Sequence, residues 1–125
     1  MTASLQLPRV PRPHLTPDAL ARLRAVLVSD LDVQHAQRID HEAAAVQLRD
    51  HTDADSVLER ELAEAGATRA REAVEDIQHA LRRLADGTYG SCESCGAPLP
   101  FERLEAVPAA RTCVACPGRG AGLLR

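Results

Sequence analysis

All four cysteines of the chain lie in two C-x-x-C pairs, Cys92 with Cys95 and Cys113 with Cys116, and seventeen residues separate the pairs. One such pair can bring two sulfurs to an ion at about 2.3 Å, and a second pair completes a tetrahedron. Thiolates prefer soft or borderline ions to magnesium or calcium. Because four protein ligands leave no open position for a substrate, this spacing predicts one structural zinc ion bound by all four cysteines.

Other uses of the cysteines fit the sequence less well. Two disulfides would suit a secreted scaffold, but residues 1–7 show no basic segment followed by an apolar run, so we expect no export signal. A thioredoxin-like redox pair would need a βαβ pattern, which is not visible. An iron–sulfur cluster also takes four cysteines and stays open as an alternative to zinc.

The composition is typical of long helices. Alanine, leucine, arginine and glutamate dominate the 125 residues, and Tyr89 and Phe101 are the two aromatic residues. No run approaches the length of a membrane span, so we expect a cytoplasmic protein that does not enter a membrane. Residues 15–86 carry a formal charge of −6, and the fifteen arginines are scattered. Nucleic-acid binders usually show a clustered basic footprint, so we expect no direct sequence-specific contact with nucleic acid.

The elements that must position the cysteines are two long predicted helices. Thr16 can cap the first helix, Pro17 suits its first position, and no Gly or Pro interrupts it before Arg49. The second helix is predicted over residues 54–85 and ends at Gly87. Because the connection is short, the two helices should form an antiparallel hairpin.

The predicted fold class is therefore mainly α, with a long antiparallel coiled-coil hairpin and a C-terminal four-cysteine zinc finger. The predicted domains are a flexible tail over residues 1–14, the hairpin over 15–86 with an acidic tip near 50–55, and the finger with a short Gly-rich tail over 87–125. A well-specified seam is expected at the base and again near the tip, and a loosely packed waist around Gly66. The expected pairs across the seam include Leu20 with Leu84, Leu27 with Ile77, Leu31 with Val74, Ala43 with Leu62, and Val46 with Leu58.

Charge concentrates where the hairpin turns. Between positions 50 and 64 there are six acids and one arginine, and the acids nearest the turn are Asp50, Asp53 and Asp55. Ordinary helix capping explains much of this, with Thr52 or Ser56 as the expected cap. Capping does not explain why Asp50 and Asp53 both project at the end of a rod about 50 Å long, which favours a partner-binding tip.

Two stretches, 89–96 (YGSCESCG) and 103–108 (RLEAVP), closely resemble the DksA/TraR family of bacterial transcription factors. The resemblance implies a hairpin joined to a four-cysteine finger, and a factor that binds RNA polymerase directly without contacting promoter DNA. It further implies that the hairpin enters the secondary channel and brings acidic tip residues near the catalytic centre. The family's tip pattern, D-x-x-D-x-A, carries over to Asp50 and Asp53, whereas Asp55 stands where the family has alanine.

Two other departures from the family pattern affect what we expect. A Pro/Gly stretch follows Cys116, where DksA proteins have a closing helix. The chain has no lysine, and Asp76 lies in the part of the second helix where the family uses basic residues to cooperate with the alarmone ppGpp. The resemblance therefore implies a weak response to ppGpp or none.

Three functional classes compete at this point. The leading one is a monomeric, non-enzymatic regulator of RNA polymerase that modulates initiation. The alternatives are a coiled-coil adaptor for another protein and a zinc-ribbon binder of nucleic acid. An enzyme is disfavoured because no nucleophile–base set, phosphate loop or open metal site is apparent.

Overall fold

A computed structural model describes residues 14–116, and three helices account for most of them. Helix α1 spans Pro17–Gln47, α2 spans Ala54–Asp86 and α3 spans Phe101–Ala106. Residues 14–116 contain no β-strand, and an isolated antiparallel bridge joins Ser91 to Pro98. The mainly helical fold class is thus confirmed. No helix in this part of the chain is both long enough and apolar enough to cross a membrane. The predicted Gly-rich tail, and all of the predicted N-terminal tail except His14, lie outside the described residues.

Helix α1 begins as the sequence predicts and ends slightly earlier. Thr16 is the N-cap, and its hydroxyl accepts a hydrogen bond from the Ala19 N–H at 3.0 Å. The helix was expected to reach Arg49 but ends at Gln47. The reason is a tightened last turn, in which the Arg49 N–H donates to the Val46 carbonyl, three residues back, at 3.2 Å.

Helix α2 is capped by Asp53, so the predicted capping by Thr52 or Ser56 is wrong. The Asp53 carboxylate accepts a hydrogen bond from the Ser56 N–H at 3.0 Å. At the other end, Gly87 adopts a φ of 81° and closes the helix, as predicted. Both caps satisfy backbone groups that would otherwise lack partners at the helix ends.

At the base of the hairpin, the expected contact of Leu27 with Ile77 is present. Leu27 is fully buried in one cluster with Ile77 and Ala80. The half-buried leucines packed against this cluster are Leu31, Leu81 and Leu84. Such a cluster supplies the apolar burial that a helix of about 30 residues needs in order to be stable in water.

The predicted loose waist is wrong. Gly66 is buried there together with Ala63, Ala67 and Ala70. A β-carbon built on Gly66 would lie 2.7 Å from the His41 ring, well inside van der Waals contact. Small residues therefore let the two helices approach closely, and the glycine makes room for the imidazole.

The predicted seam near the tip is wrong as well. Val46, Leu58 and Leu62, which were expected to face the partner helix, are 57%, 56% and 62% exposed. The buried positions of α2 instead step through Ala63, Ala67 and Ala70. Leu62 lies one residue, or about 100° around the helix, from this line of alanines.

We predict that alanine at position 66 gains less stability in the wild-type chain than in a His41→Ala background. Alanine is usually about 1 kcal/mol better than glycine inside a helix, but here its methyl group must displace the His41 ring. Thermal or urea unfolding of Gly66→Ala, His41→Ala and the double variant measures the difference. Equal gains in both backgrounds would mean that the imidazole does not constrain position 66.

Candidate zinc centre and hairpin tip

The four cysteine sulfurs converge on one point of the finger. The sulfurs of Cys92, Cys95, Cys113 and Cys116 all lie within 4.8 Å of one another. The Cys95 and Cys113 sulfurs are 3.8 Å apart. A regular tetrahedron with zinc–sulfur bonds of about 2.3 Å has edges of about 3.8 Å, so both the donor set and the spacing fit zinc.

Backbone hydrogen bonds shape the turns that carry the sulfurs. The Gly96 N–H donates to the Cys92 carbonyl at 2.9 Å, and the Cys92 N–H donates to the Ala97 carbonyl at 2.8 Å. Gly96 has a φ of 77°, a conformation that residues with a β-carbon rarely adopt. In the second pair, the Cys116 N–H donates to the Cys113 carbonyl at 3.2 Å. Each C-x-x-C turn therefore presents its two sulfurs on one side.

Hydrogen bonds within the cluster separate the pKa values of the thiols. A hydrogen bond from the Cys113 backbone lowers the pKa of Cys92 to about 6. The Cys113 pKa is also lowered, chiefly by a hydrogen bond with the Cys116 side chain. The same contact, together with those to the other sulfurs, raises the pKa of Cys116 to about 12. Hydrogen bonding with the neighbouring sulfurs therefore favours the protonated form of Cys116.

The finger is seated on the base of the hairpin. Leu99 and Leu104 are fully buried in a cluster with Cys92 and with two residues from the hairpin base, Leu15 and Leu23. Val107, by contrast, is 47% exposed and is not part of this cluster.

The residues just before α1 also contact the finger, which the sequence did not suggest. The His14 ring is hydrogen-bonded to the Leu99 carbonyl at 2.8 Å. Gly90, with a φ of 95°, lies so close to Leu15 that a β-carbon would be 2.9 Å from the leucine methyl group. His14 was assigned to the predicted tail, but its ring takes part in the contact between the hairpin base and the finger.

The three tip acids are exposed at the far end of the hairpin from the zinc centre. Asp50 lies in the connecting turn, Asp53 caps α2, and Asp55 belongs to the first turn of α2. The hydrogen bond from the Ser56 backbone holds the pKa of Asp53 below its usual value. Among residues 14–116, the four cysteines are the group whose side chains converge closely enough to share an ion, and the tip acids do not.

Comparison with known proteins supports the family resemblance. Residues 87–119 match the model of the prokaryotic DksA/TraR C4-type zinc finger. The RNA polymerase-binding transcription factor DksA of Caulobacter vibrioides is 37% identical over 82 residues, which are 66% of this chain and 55% of that protein. These matches assign the finger module to the DksA/TraR C4-type zinc fingers.

Other relatives show how far the likeness extends. General stress protein 16O of Bacillus subtilis is 54% identical over 44 residues, covering 35% of this chain and 27% of that protein. The chain thus matches about a quarter to about half of the length of these two curated relatives. The structure of transcription factor DksA2 from Pseudomonas aeruginosa covers 90% of each chain with a TM-score of 0.73 at 23% identity, which shows a common fold.

As a DksA/TraR C4 zinc finger, the finger module holds one structural zinc ion. When bound, the zinc ties the two halves of the module together, and the four thiolates leave it no open position for chemistry. The family's finger therefore serves here as a structural unit, mounted on the hairpin by the apolar cluster around Leu99 and Leu104.

We predict that the apparent zinc affinity rises with pH from neutral to mildly alkaline conditions. Cys116 is protonated throughout this range in the metal-free site, so zinc must displace its proton, and the affinity should rise about tenfold per pH unit for each displaced proton. Competition against a chelator at several pH values measures the slope. Cys116→Ser should bind more weakly with a shallower slope, and Ser94→Ala serves as the control. An affinity independent of pH in the wild-type protein would contradict the prediction.

Proposed function

We propose that this protein is a transcription regulator that binds RNA polymerase directly and inserts the hairpin tip into the secondary channel to modulate initiation. The observation that carries the proposal is a long two-helix arm, seated on a zinc finger, that presents Asp50, Asp53 and Asp55 at its exposed end. It is supported by the fold shared with DksA2 and by relatives named as RNA polymerase-binding factors.

The two-helix arm is long and closely packed, as reaching into a partner protein would require. Helices α1 and α2 contain 31 and 33 residues, which corresponds to about 45–50 Å at 1.5 Å per residue. Close packing around Gly66 stiffens its middle, and Glu42 links Arg38 to Arg71 across the two helices at 3.0 and 2.9 Å. A stiff arm can deliver charges to a point far from the surface on which its base rests.

The tip acids would act by charge and hydrogen bonding. Asp53 remains ionised over a wide pH range, because the Ser56 backbone stabilises its carboxylate. Asp50 and Asp55 lie on either side of it in the chain and add negative charge. Such a tip can shift the positions of mobile catalytic elements of the polymerase. Asp55 adds one charge beyond the family pattern, so the strength of the effect should differ from that of relatives with alanine there.

The remaining assignments follow from the same proposal. The zinc ligands are Cys92, Cys95, Cys113 and Cys116, and the protein acts as a cytoplasmic monomer without enzymatic activity or direct sequence-specific contact with nucleic acid. At most a weak response to ppGpp is expected. Asp76, in the region where the family uses basic residues, is paired with Arg111 at 2.9 Å, so its carboxylate offsets the charge of that arginine.

One observation favours an adaptor as the second candidate. Val46, Leu58 and Leu62 expose more than half of their surface near the tip, where another protein could cover them. In that case the apolar residues would carry the binding, and the tip acids would contribute mainly to solubility and helix capping. The two candidates therefore differ in which tip side chains matter.

We predict that Asp50→Asn with Asp53→Asn abolishes the effect on transcription and leaves the fold intact. Asparagine is as good an N-cap as aspartate, so the double variant removes charge without losing the cap of α2. Transcription in vitro with purified polymerase, compared with the exposed control variant Asp40→Asn, measures the effect. Full activity of the double variant alongside normal helicity would exclude the proposed role of the tip acids.

A further inference from the structure

The finger meets α2 through charged side chains rather than through apolar packing alone. Glu93 contacts His79 and also lies 3.7 Å from the Arg83 guanidinium. Arg111 forms an ion pair with Asp76 at 2.9 Å. Positions 76, 79 and 83 are three and four residues apart, so they lie along one face of the helix. The His79 side chain, which is 27% exposed, is part of this contact.

The two finger residues in these contacts come from opposite halves of the zinc site. Glu93 lies inside the first C-x-x-C turn, and Arg111 is two residues before Cys113. The Glu93 N–H donates to the Arg111 carbonyl at 2.8 Å, so the two halves also meet through their backbones. The spacing between Glu93 and Arg111 is therefore held by this hydrogen bond together with the convergence of the four sulfurs.

The apolar contacts of the finger cannot set its orientation alone. Leu15 and Leu23 bury Leu99 and Leu104, and hydrophobic burial is not directional. The hydrogen bond between the His14 ring and the Leu99 carbonyl adds one directional contact, at a single point. Charge-assisted hydrogen bonds depend on angle as well as distance. Two such contacts at separate points on one helix would prevent the finger from rotating relative to the hairpin.

Arg83 connects this charged contact to the end of α2. Its guanidinium donates to the Thr88 carbonyl at 2.6 Å, and its own carbonyl accepts from the Thr88 N–H at 2.9 Å. The Arg83 side chain is 14% exposed, so its charge is largely enclosed between the helix, the linker and Glu93. The chain that leaves α2 is thereby held beside the helix before it enters the first cysteine pair.

We propose that Glu93 and Arg111 fix the angle between the finger and the hairpin by contacting α2 at two separate points, which we call the clamp. Zinc holds the two cysteine pairs, and with them Glu93 and Arg111, at the spacing that these two contacts require. Both are positioning residues, since neither is a metal ligand. The clamp gives the structural zinc a conformational role at a distance, because loss of zinc would separate the two points and free the hairpin to swing. This inference concerns the free protein and does not depend on the proposed partner.

The experiment is a spin-label distance measurement on the full chain. Labels are attached to unnatural amino acids at two exposed positions, Glu59 near the tip and Glu102 on α3, so that the cysteines stay unmodified. The zinc-loaded wild-type protein should give one narrow distance distribution. Glu93→Gln with Arg111→Gln should lose that narrow distribution while keeping one zinc per chain and normal helicity.

A matched control and a second variant make the result decisive. Arg69→Gln with Glu72→Gln removes the same two charges from exposed positions of α2 and should leave the distribution narrow. Asp76→Asn with His79→Gln and Arg83→Gln removes the charged partners of both clamp residues from the helix side, in case the finger variant does not fold. Wild-type protein stripped of zinc by a chelator should also lose the narrow distribution.

Three results would overturn the clamp. The first is a narrow distribution in a zinc-loaded variant that lacks both contacts. The second is equal broadening in the Arg69 and Glu72 control. The third is a distribution that stays narrow after zinc is removed, because the spacing of the cysteine pairs would then not govern the angle.

Discussion

The finger depends on four thiolates meeting at one point, because it is too small to be held together by an apolar core of its own. Domains shorter than about 40 residues usually need a metal, disulfides or a partner to fold. Between Gly87 and Cys116 the finger contributes two fully buried side chains, Leu99 and Leu104. It completes its core with Leu15 and Leu23 of the hairpin base, so the metal site and the hairpin stabilise the finger together.

The hairpin is stabilised by different residues from those that stabilise the finger. Two helices of more than 30 residues with few large side chains in the seam must approach closely to gain contact, and a line of small residues on α2 permits this. Large apolar residues are buried at the base, beside the finger, whereas Val46, Leu58 and Leu62 are exposed toward the tip. The hairpin is therefore joined to the finger at one end and presents the acidic residues at the other.

The sequence predicted local features best. The cysteine spacing indicated the zinc centre, and Thr16, Pro17 and Gly87 indicated helix ends. These predictions succeeded because each signal depends on residues that lie close together in the chain. The seam near the tip could not be predicted, since Leu62 and Ala63 differ by one position and an apolar-residue pattern favours the leucine. The contacts of Glu93 and Arg111 with α2 join residues distant in the chain, and nothing in their local sequence indicates a partner.

The most direct test of the account places a photocrosslinking amino acid at His51, an exposed residue of the tip turn, in the zinc-loaded protein mixed with core RNA polymerase. We expect binding, with crosslinks to the polymerase elements that surround the catalytic centre at the inner end of the secondary channel. Absence of binding at micromolar concentrations, or crosslinks confined to the outer surface of the polymerase, would contradict the account. The apolar tip residues would then point to a different protein partner.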